Sequence, residues 1–253
     1  MIEEIAQEVG MLIVFLAGIS YIAVGVYLLQ TASRENGGPS FFLGLALLCN
    51  GISFGFSEIP FVAGAEHLVA PLTFISRLCS AACSVSIAMF TWRVFRSDSR
   101  WGGLAVGSTA ALIGAGLTIS VLEGDWEGYS PLSYKGFWFE WVGCLAPFVW
   151  LSIESLGMYL VSRRRIPLGL IDPVVCNRYF LIGFYTALAS LTYLIYIPMY
   201  IVYELHGMWS GWLDIFLGLV ELISVVALGL SFSAPPFYRR WIGASAGRSE
   251  KPT

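Results

Sequence analysis

Two charges stand where the chain is otherwise apolar. Arg77 lies in the run PLTFISRLCSAACSVSIAMF, and Glu221 lies in GWLDIFLGLVELISVVALGLSF. A bare charge in hydrocarbon is expensive, so each should face a partner or a water-filled cavity. At a helical rise of 1.5 Å per residue, Arg77 falls roughly 13 Å and Glu221 roughly 15 Å below the same end of their segments. The matched depths predict an Arg77–Glu221 ion pair, provided that the third and seventh segments pack together.

Other polar residues fall into register with these two. Arg77, Ser80 and Ser84 share one helical face, as do Asn50, Ser53 and Ser57, with Glu58 beside them. Asp214, Gly218, Glu221 and Ser224 form a third such stripe. Tyr193, Tyr196, Tyr200 and Tyr203 line one face around Pro198, whose missing N–H should kink its helix. Asn50, Arg77, Ser80, Tyr193, Tyr196 and Glu221 are therefore expected to line a ligand-binding pocket; the alternative is that they only bond helices together. Glu154 and Arg178 lie at similar depth near the opposite end. They are expected to pair as a clamp or a gate.

Several chemistries are excluded. His67 and His206 are the two histidines, too few for a haem or for a three-histidine hydrolytic site in the core. No GxSxG, P-loop or HExxH pattern occurs, and nothing points to nucleic acid. Cys79 and Cys83 share a helix face without a histidine or acid at metal-ligand spacing. Cys49, Cys79, Cys83, Cys144 and Cys176 all fall in or at the ends of apolar segments, the usage of small packing residues. The expectation is a protein that is not an enzyme and needs no cofactor or metal.

The elements that position these residues follow from composition. Of 253 residues 57% are hydrophobic and 12% charged, about half the charge of a soluble domain. A span needs about 20 apolar residues. Seven segments qualify, at 9–31, 40–62, 68–94, 101–122, 136–162, 174–204 and 211–233. The fold class is thus an all-α integral membrane protein, a seven-transmembrane helix bundle in one domain over 1–241, followed by a disordered tail over 242–253.

Charge sorts the loops by side. Arg34, Arg93, Arg96, Arg100, Arg163, Arg164, Arg165, Arg239, Arg240, Arg248 and Lys251 share one side. Lys135 stands on the other among eight acids: Glu3, Glu4, Glu8, Glu66, Glu123, Asp125, Glu127 and Glu204. By the positive-inside bias the N-terminus is outside and the C-terminus cytoplasmic, in a multi-pass plasma-membrane protein. Asp172-Pro173 reads as an N-cap and first turn of the sixth helix. Gly103, Gly107 and Ala111, four apart, permit close helix packing within the chain or a homodimer. The aromatic and basic cluster Tyr238-Arg239-Arg240-Trp241 suits anionic headgroups.

In topology and size the chain resembles the microbial rhodopsins. The likeness rests on Arg77 in span three, Tyr196-Ile197-Pro198 in span six and the acid Glu221 in span seven. It implies seven helices with the N-terminus outside. The lysine that carries retinal in that family would stand one turn beyond the acid, where this chain has Val225. The counter-ion position one turn after Arg77 is Ser80. Covalent retinal is excluded.

The functional expectation is a receptor-like bundle that binds a small or lipid-like ligand in its outer half and acts through a membrane or cytoplasmic partner. The alternatives are a proton- or cation-coupled transporter using Glu221 and Arg77, and an accessory subunit of a membrane complex. The orientation is directly testable. In a cysteine-free background, an impermeant maleimide should label Lys135→Cys in intact cells and Arg164→Cys only after permeabilisation. The reverse pattern overturns the assignment.

Overall fold

The computed structural model describes residues 2–34, 38–62, 66–124, 131–206 and 211–232, together with 235, 238 and 242. The predicted tail beyond 242, the Arg239-Arg240-Trp241 cluster and the side chains of Glu58, Tyr203 and His206 lie outside the described residues. Seven long helices run in chain order: α1 (Ile2–Arg34), α2 (Pro39–Val62), α3 (Val69–Phe95), α4 (Arg100–Glu123), α5 (Lys135–Arg165), α6 (Pro173–His206) and α7 (Gly211–Phe232). All seven are long and apolar enough to cross a membrane. No strand occurs among the described residues. Helices are what such a composition must form, because in lipid every backbone N–H and C=O has to be bonded within its own segment. The helix ends fall close to the limits expected from the sequence, except that α1 begins at Ile2, well before the expected start at residue 9.

Local chemistry sets several of these ends. Asp172 Oδ1 accepts from the Val174 N–H at 2.7 Å, so it does cap α6, with Pro173 opening the helix. Gly124 closes α4 with φ 72°, a left-handed conformation that other residues adopt only at a cost. The start of α7 is capped from far away in the chain. The Glu3 carboxylate accepts from the Gly211 N–H at 2.7 Å, placing negative charge at the positive end of the helix dipole.

Successive helices pack side by side, and α1 closes the ring against α7, which also packs on α6. Within this ring α3 packs on α2, α4 and α5. The core is drawn from six helices: Tyr21 and Leu28 of α1, Leu43 and Leu47 of α2, Ile87 of α3, Phe148 of α5, Tyr185 of α6 and Leu228 of α7 belong to it. The sixth-helix and seventh-helix walls meet there at Ile182 and Val225. Helix α4 stays outside that cluster. Its Ile113 packs instead with Ala81 and Cys144 in a smaller one. The outer faces of the helices are apolar: Leu12 is 59% exposed, Ile153 66% and Leu122 80%. A continuous surface of this kind suits lipid and would drive aggregation in water.

Small residues decide how near the helices come. Gly18 and Gly25 of α1 face Gly51 and Gly44 of α2, so two antiparallel seven-residue spacings interlock. A Cβ added at Gly51 would lie 2.5 Å from the Gly18 carbonyl oxygen, and one at Gly25 would lie 2.6 Å from the Leu48 nitrogen. The same two-helix block is tied to α3 by a reciprocal clasp, in which Ser53 Oγ donates to the Ser76 carbonyl and Ser76 Oγ to the Ser53 carbonyl, each at 3.0 Å. The predicted α4 stripe behaves differently. Gly103 lies against the Trp92 ring, but Gly107 has nothing within 4 Å and Ala111 is exposed. The residues of α4 that approach its neighbours closely are Gly102, against Trp92, and Gly116, against the backbone of α5 at Glu140.

Glycine at position 51 is therefore a packing requirement. Gly51→Val should lower thermal stability in detergent by about 1–3 kcal/mol, the usual cost of overpacking a tight core. Gly107→Val, on an open face, should leave the midpoint nearly unchanged. Melting followed by tryptophan fluorescence tests both.

Candidate functional site

Arg77 and Glu221 do not meet. They belong to helices with different main neighbours, since α3 packs chiefly on α2, α4 and α5 whereas α7 packs chiefly on α1 and α6. Each has a different partner, and two polar centres result.

The first centre joins α3, α4 and α5. The Arg77 guanidinium grips Glu140 of α5: Nε donates to Oε2 at 2.9 Å and to Oε1 at 3.2 Å, and Nη2 donates to Oε2 at 2.6 Å. Nη2 also donates to Ser120 Oγ of α4 at 2.8 Å. Both charged side chains are largely withdrawn from the surface, at 17% and 11% exposure. Geometry explains the choice. Side chains tilt toward the N-terminus of their own helix, so Arg77 leans toward the Val69 end of α3. Glu140 lies only five residues into α5, at that same end of the bundle. Glycines admit the third member. A Cβ at Gly116 would fall 2.6 Å from the Glu140 nitrogen, and one at Gly136 would strike Ser120. Such close approach brings the Ser120 hydroxyl onto the ion pair.

The second centre joins α1, α6 and α7. Glu221 is 8% exposed, and its Oε2 accepts from the Tyr21 hydroxyl at 2.6 Å. Tyr21 stands about one turn deeper than Glu221 and leans back toward it along the parallel α1–α7 seam. The Thr192 hydroxyl of α6 donates within its own helix, to the Leu188 carbonyl at 3.2 Å. The nearby groups are Tyr185 and Tyr193 of α6 and Cys83 of α3. None of these is cationic. Glu221 forms no salt bridge among the described residues. Tyr21 is itself held by Phe54 and Tyr185, at ring separations of 5.9 and 6.3 Å.

One hydroxyl contact joins α3 to α6 between the centres. Ser80, one turn beyond Arg77, has its hydroxyl 3.5 Å from that of Tyr193, the neighbour of Thr192. The Tyr193 ring packs on Phe148 at 5.6 Å, and its carbonyl accepts from Trp141 Nε1 at 3.3 Å. Of the six predicted pocket residues, Ser80 and Tyr193 are thus brought together, with Arg77 and Glu221 on opposite flanks. Tyr196 stacks on Tyr200 at 6.2 Å, and partly buried Asn50 is joined to neither centre by a hydrogen bond. Asp214 lies opposite Gly10, near the start of α7.

The predicted Glu154–Arg178 pair is also replaced. Arg96 donates to Glu154 through Nε at 2.8 Å and Nη2 at 3.3 Å, and Trp150 Nε1 adds a bond at 3.2 Å. Arg178 turns toward α7, where Nε donates to the Ser231 carbonyl at 2.8 Å and the guanidinium stands over the Phe232 ring at 5.4 Å. A cation is favourable there, because the last carbonyls of a helix carry partial negative charge. Val225, at the position that carries the lysine in the rhodopsins, is 1% exposed and packed in the core.

The fixed pair makes a quantitative prediction. Removing one partner strands a buried charge, so Arg77→Met should destabilise the bundle by about 3–5 kcal/mol. Arg77→Met with Glu140→Met should recover most of that loss, while Arg77→Met with Glu221→Gln should recover none. Denaturation in detergent of the single and double variants measures both couplings.

No known protein family, no curated protein and no solved structure matches this chain. Among the described residues, what stands is a bundle of seven helices long and apolar enough to cross a membrane.

Proposed function

We propose that the protein is a non-catalytic, proton-responsive bundle of the plasma membrane, with its N-terminus outside, in which Glu221 is the working group. The observation that carries this reading is a buried carboxyl hydrogen-bonded from the Tyr21 hydroxyl of another helix and facing no cation among the described residues. The Arg77–Glu140 pair is internally neutral, so it serves as a fixed strut. Glu221 can gain or lose a proton, and each change alters the hydrogen bond that joins α7 to Tyr21 of α1, whose ring packs on Tyr185 of α6. A proton event at this point is therefore felt by three helices together. The change would reach a membrane or cytoplasmic partner at the arginine-rich end.

A second reading is supported by the 3.5 Å approach of Ser80 and Tyr193, which places two hydroxyls between the centres. In it the same carboxyl passes protons or small cations across the membrane. Receptor-type binding of an organic ligand would use these residues too, with an amine as the chemistry that best matches an acid among tyrosines.

The first reading predicts a pH-dependent change in tryptophan fluorescence of the protein in nanodiscs, accompanied by a carboxyl band in infrared difference spectra. Both should vanish in Glu221→Gln, whose amide still accepts from Tyr21 and so preserves the fold. A wild type and variant with the same pH response would remove Glu221 from the mechanism. Proton flux in proteoliposomes that Glu221→Gln abolishes would favour transport over sensing.

A further inference from the structure

The arginine-rich end of the bundle carries a surface that the Glu221 centre does not use. Helix α5 ends in Arg163-Arg164-Arg165, all three exposed. Directly after them a short 3-10 turn, Ile166–Leu168, leads into Gly169 at φ 65°. The turn is closed by the Gly169 N–H donating to the Ile166 carbonyl at 2.9 Å and the Leu170 N–H donating to the Arg165 carbonyl at 3.3 Å. This geometry throws Leu168 and Leu170 outward, 69% and 68% exposed, beside the three guanidinium groups. Nearby acids are already engaged. Glu154 holds Arg96, Asp172 caps α6, and Asp98 accepts from the Ser97 hydroxyl. The three arginines form no salt bridge among the described residues.

Depth places this cluster at a membrane surface. From Lys135 to Arg163, α5 rises about 42 Å at 1.5 Å per residue. A bilayer including its headgroup layers is about 40–45 Å thick. With Lys135 in one headgroup layer, the arginines reach the other, and two leucines at that level can enter the edge of the acyl region. Fixed positive charge beside exposed apolar side chains is the combination that binds an anionic membrane surface.

We propose that Arg163, Arg164 and Arg165, with Leu168 and Leu170, form a binding site for the phosphodiester headgroups of anionic phospholipids. The leucines set the depth of the loop and the arginines select the charge. Lipid occupancy would brace the α5–α6 hairpin, whose other end carries Glu140 and the Tyr193 contact.

The full-length protein is reconstituted in nanodiscs of phosphatidylcholine with a minor fraction of phosphatidylglycerol, and lipid retained on release is counted by native mass spectrometry. Phosphatidylglycerol should be enriched on the wild type. Enrichment should fall roughly tenfold or more in Arg163→Gln/Arg164→Gln/Arg165→Gln, and in the wild type at high salt. Leu168→Ser/Leu170→Ser should weaken it while leaving the salt dependence in place. If the arginine variant fails to fold, the wild-type salt titration and the leucine variant decide. Enrichment that is absent, or insensitive to salt and to these substitutions, overturns the proposal and leaves the arginines to an acidic soluble partner.

Discussion

A charge placed in hydrocarbon has to be matched, and the site of that match organises this molecule. Arg77 cannot be left alone in an apolar helix, and its match to Glu140 fixes α5 against α3 with α4 drawn in by Ser120. Because the guanidinium presents a planar fork, it bonds the carboxylate through two nitrogens and fixes rotation as well as distance. Half of the bundle is thereby made rigid. The other half is assembled around an acid whose described neighbours are neutral. The contrast between a matched charge and an unmatched one is the physical basis for giving the two centres different roles.

Close packing runs through both centres. Helices α1 and α2 approach through interlocked glycines and are clasped to α3 by paired serines. The α1–α7 seam is as tight, since a Cβ added at Gly211 would lie 2.5 Å from the Gln7 nitrogen and one at Gly10 would lie 2.7 Å from the Asp214 Cβ. Glycine contacts hold backbones at a fixed separation. Around Glu221 itself the contacts are longer side chains, Tyr21 and Tyr185, and rings and carboxyls can change partner without moving backbone.

The seven helices and their ends were legible from hydrophobic run lengths, and the Asp172 cap was legible from two residues. The ion pairs were not. Depth in the sequence is one-dimensional, and Arg77 and Glu221 matched in depth while lying on helices whose main neighbours differ. Glu140 was readable in principle, as an acid five residues into a long apolar segment, but its partner depended on the lean of the Arg77 side chain and on the α3–α5 contact. Arg178 was misassigned for a similar reason, since a helix terminus competes for a cation and the position of α7 beside it is a tertiary fact. Tyr21, one of two tyrosines in an apolar span, shared no helical face with the other and carried no periodic signal.

The seam between α1 and α7 has a consequence for the order of events in synthesis. Tyr21 and Glu221 are 200 positions apart, and Glu3 and Gly211 are 208 apart. Until the last helix has been made, the first lacks its neighbour on that flank, and the Tyr21 hydroxyl lacks its acceptor. Closure of the ring is thus the final and most non-local step of assembly, and the acid proposed to work in the mature protein is also the one that completes it. A nascent chain halted before α7 would hold the Arg77–Glu140 half in finished form and expose an open polar groove along α1 and α6.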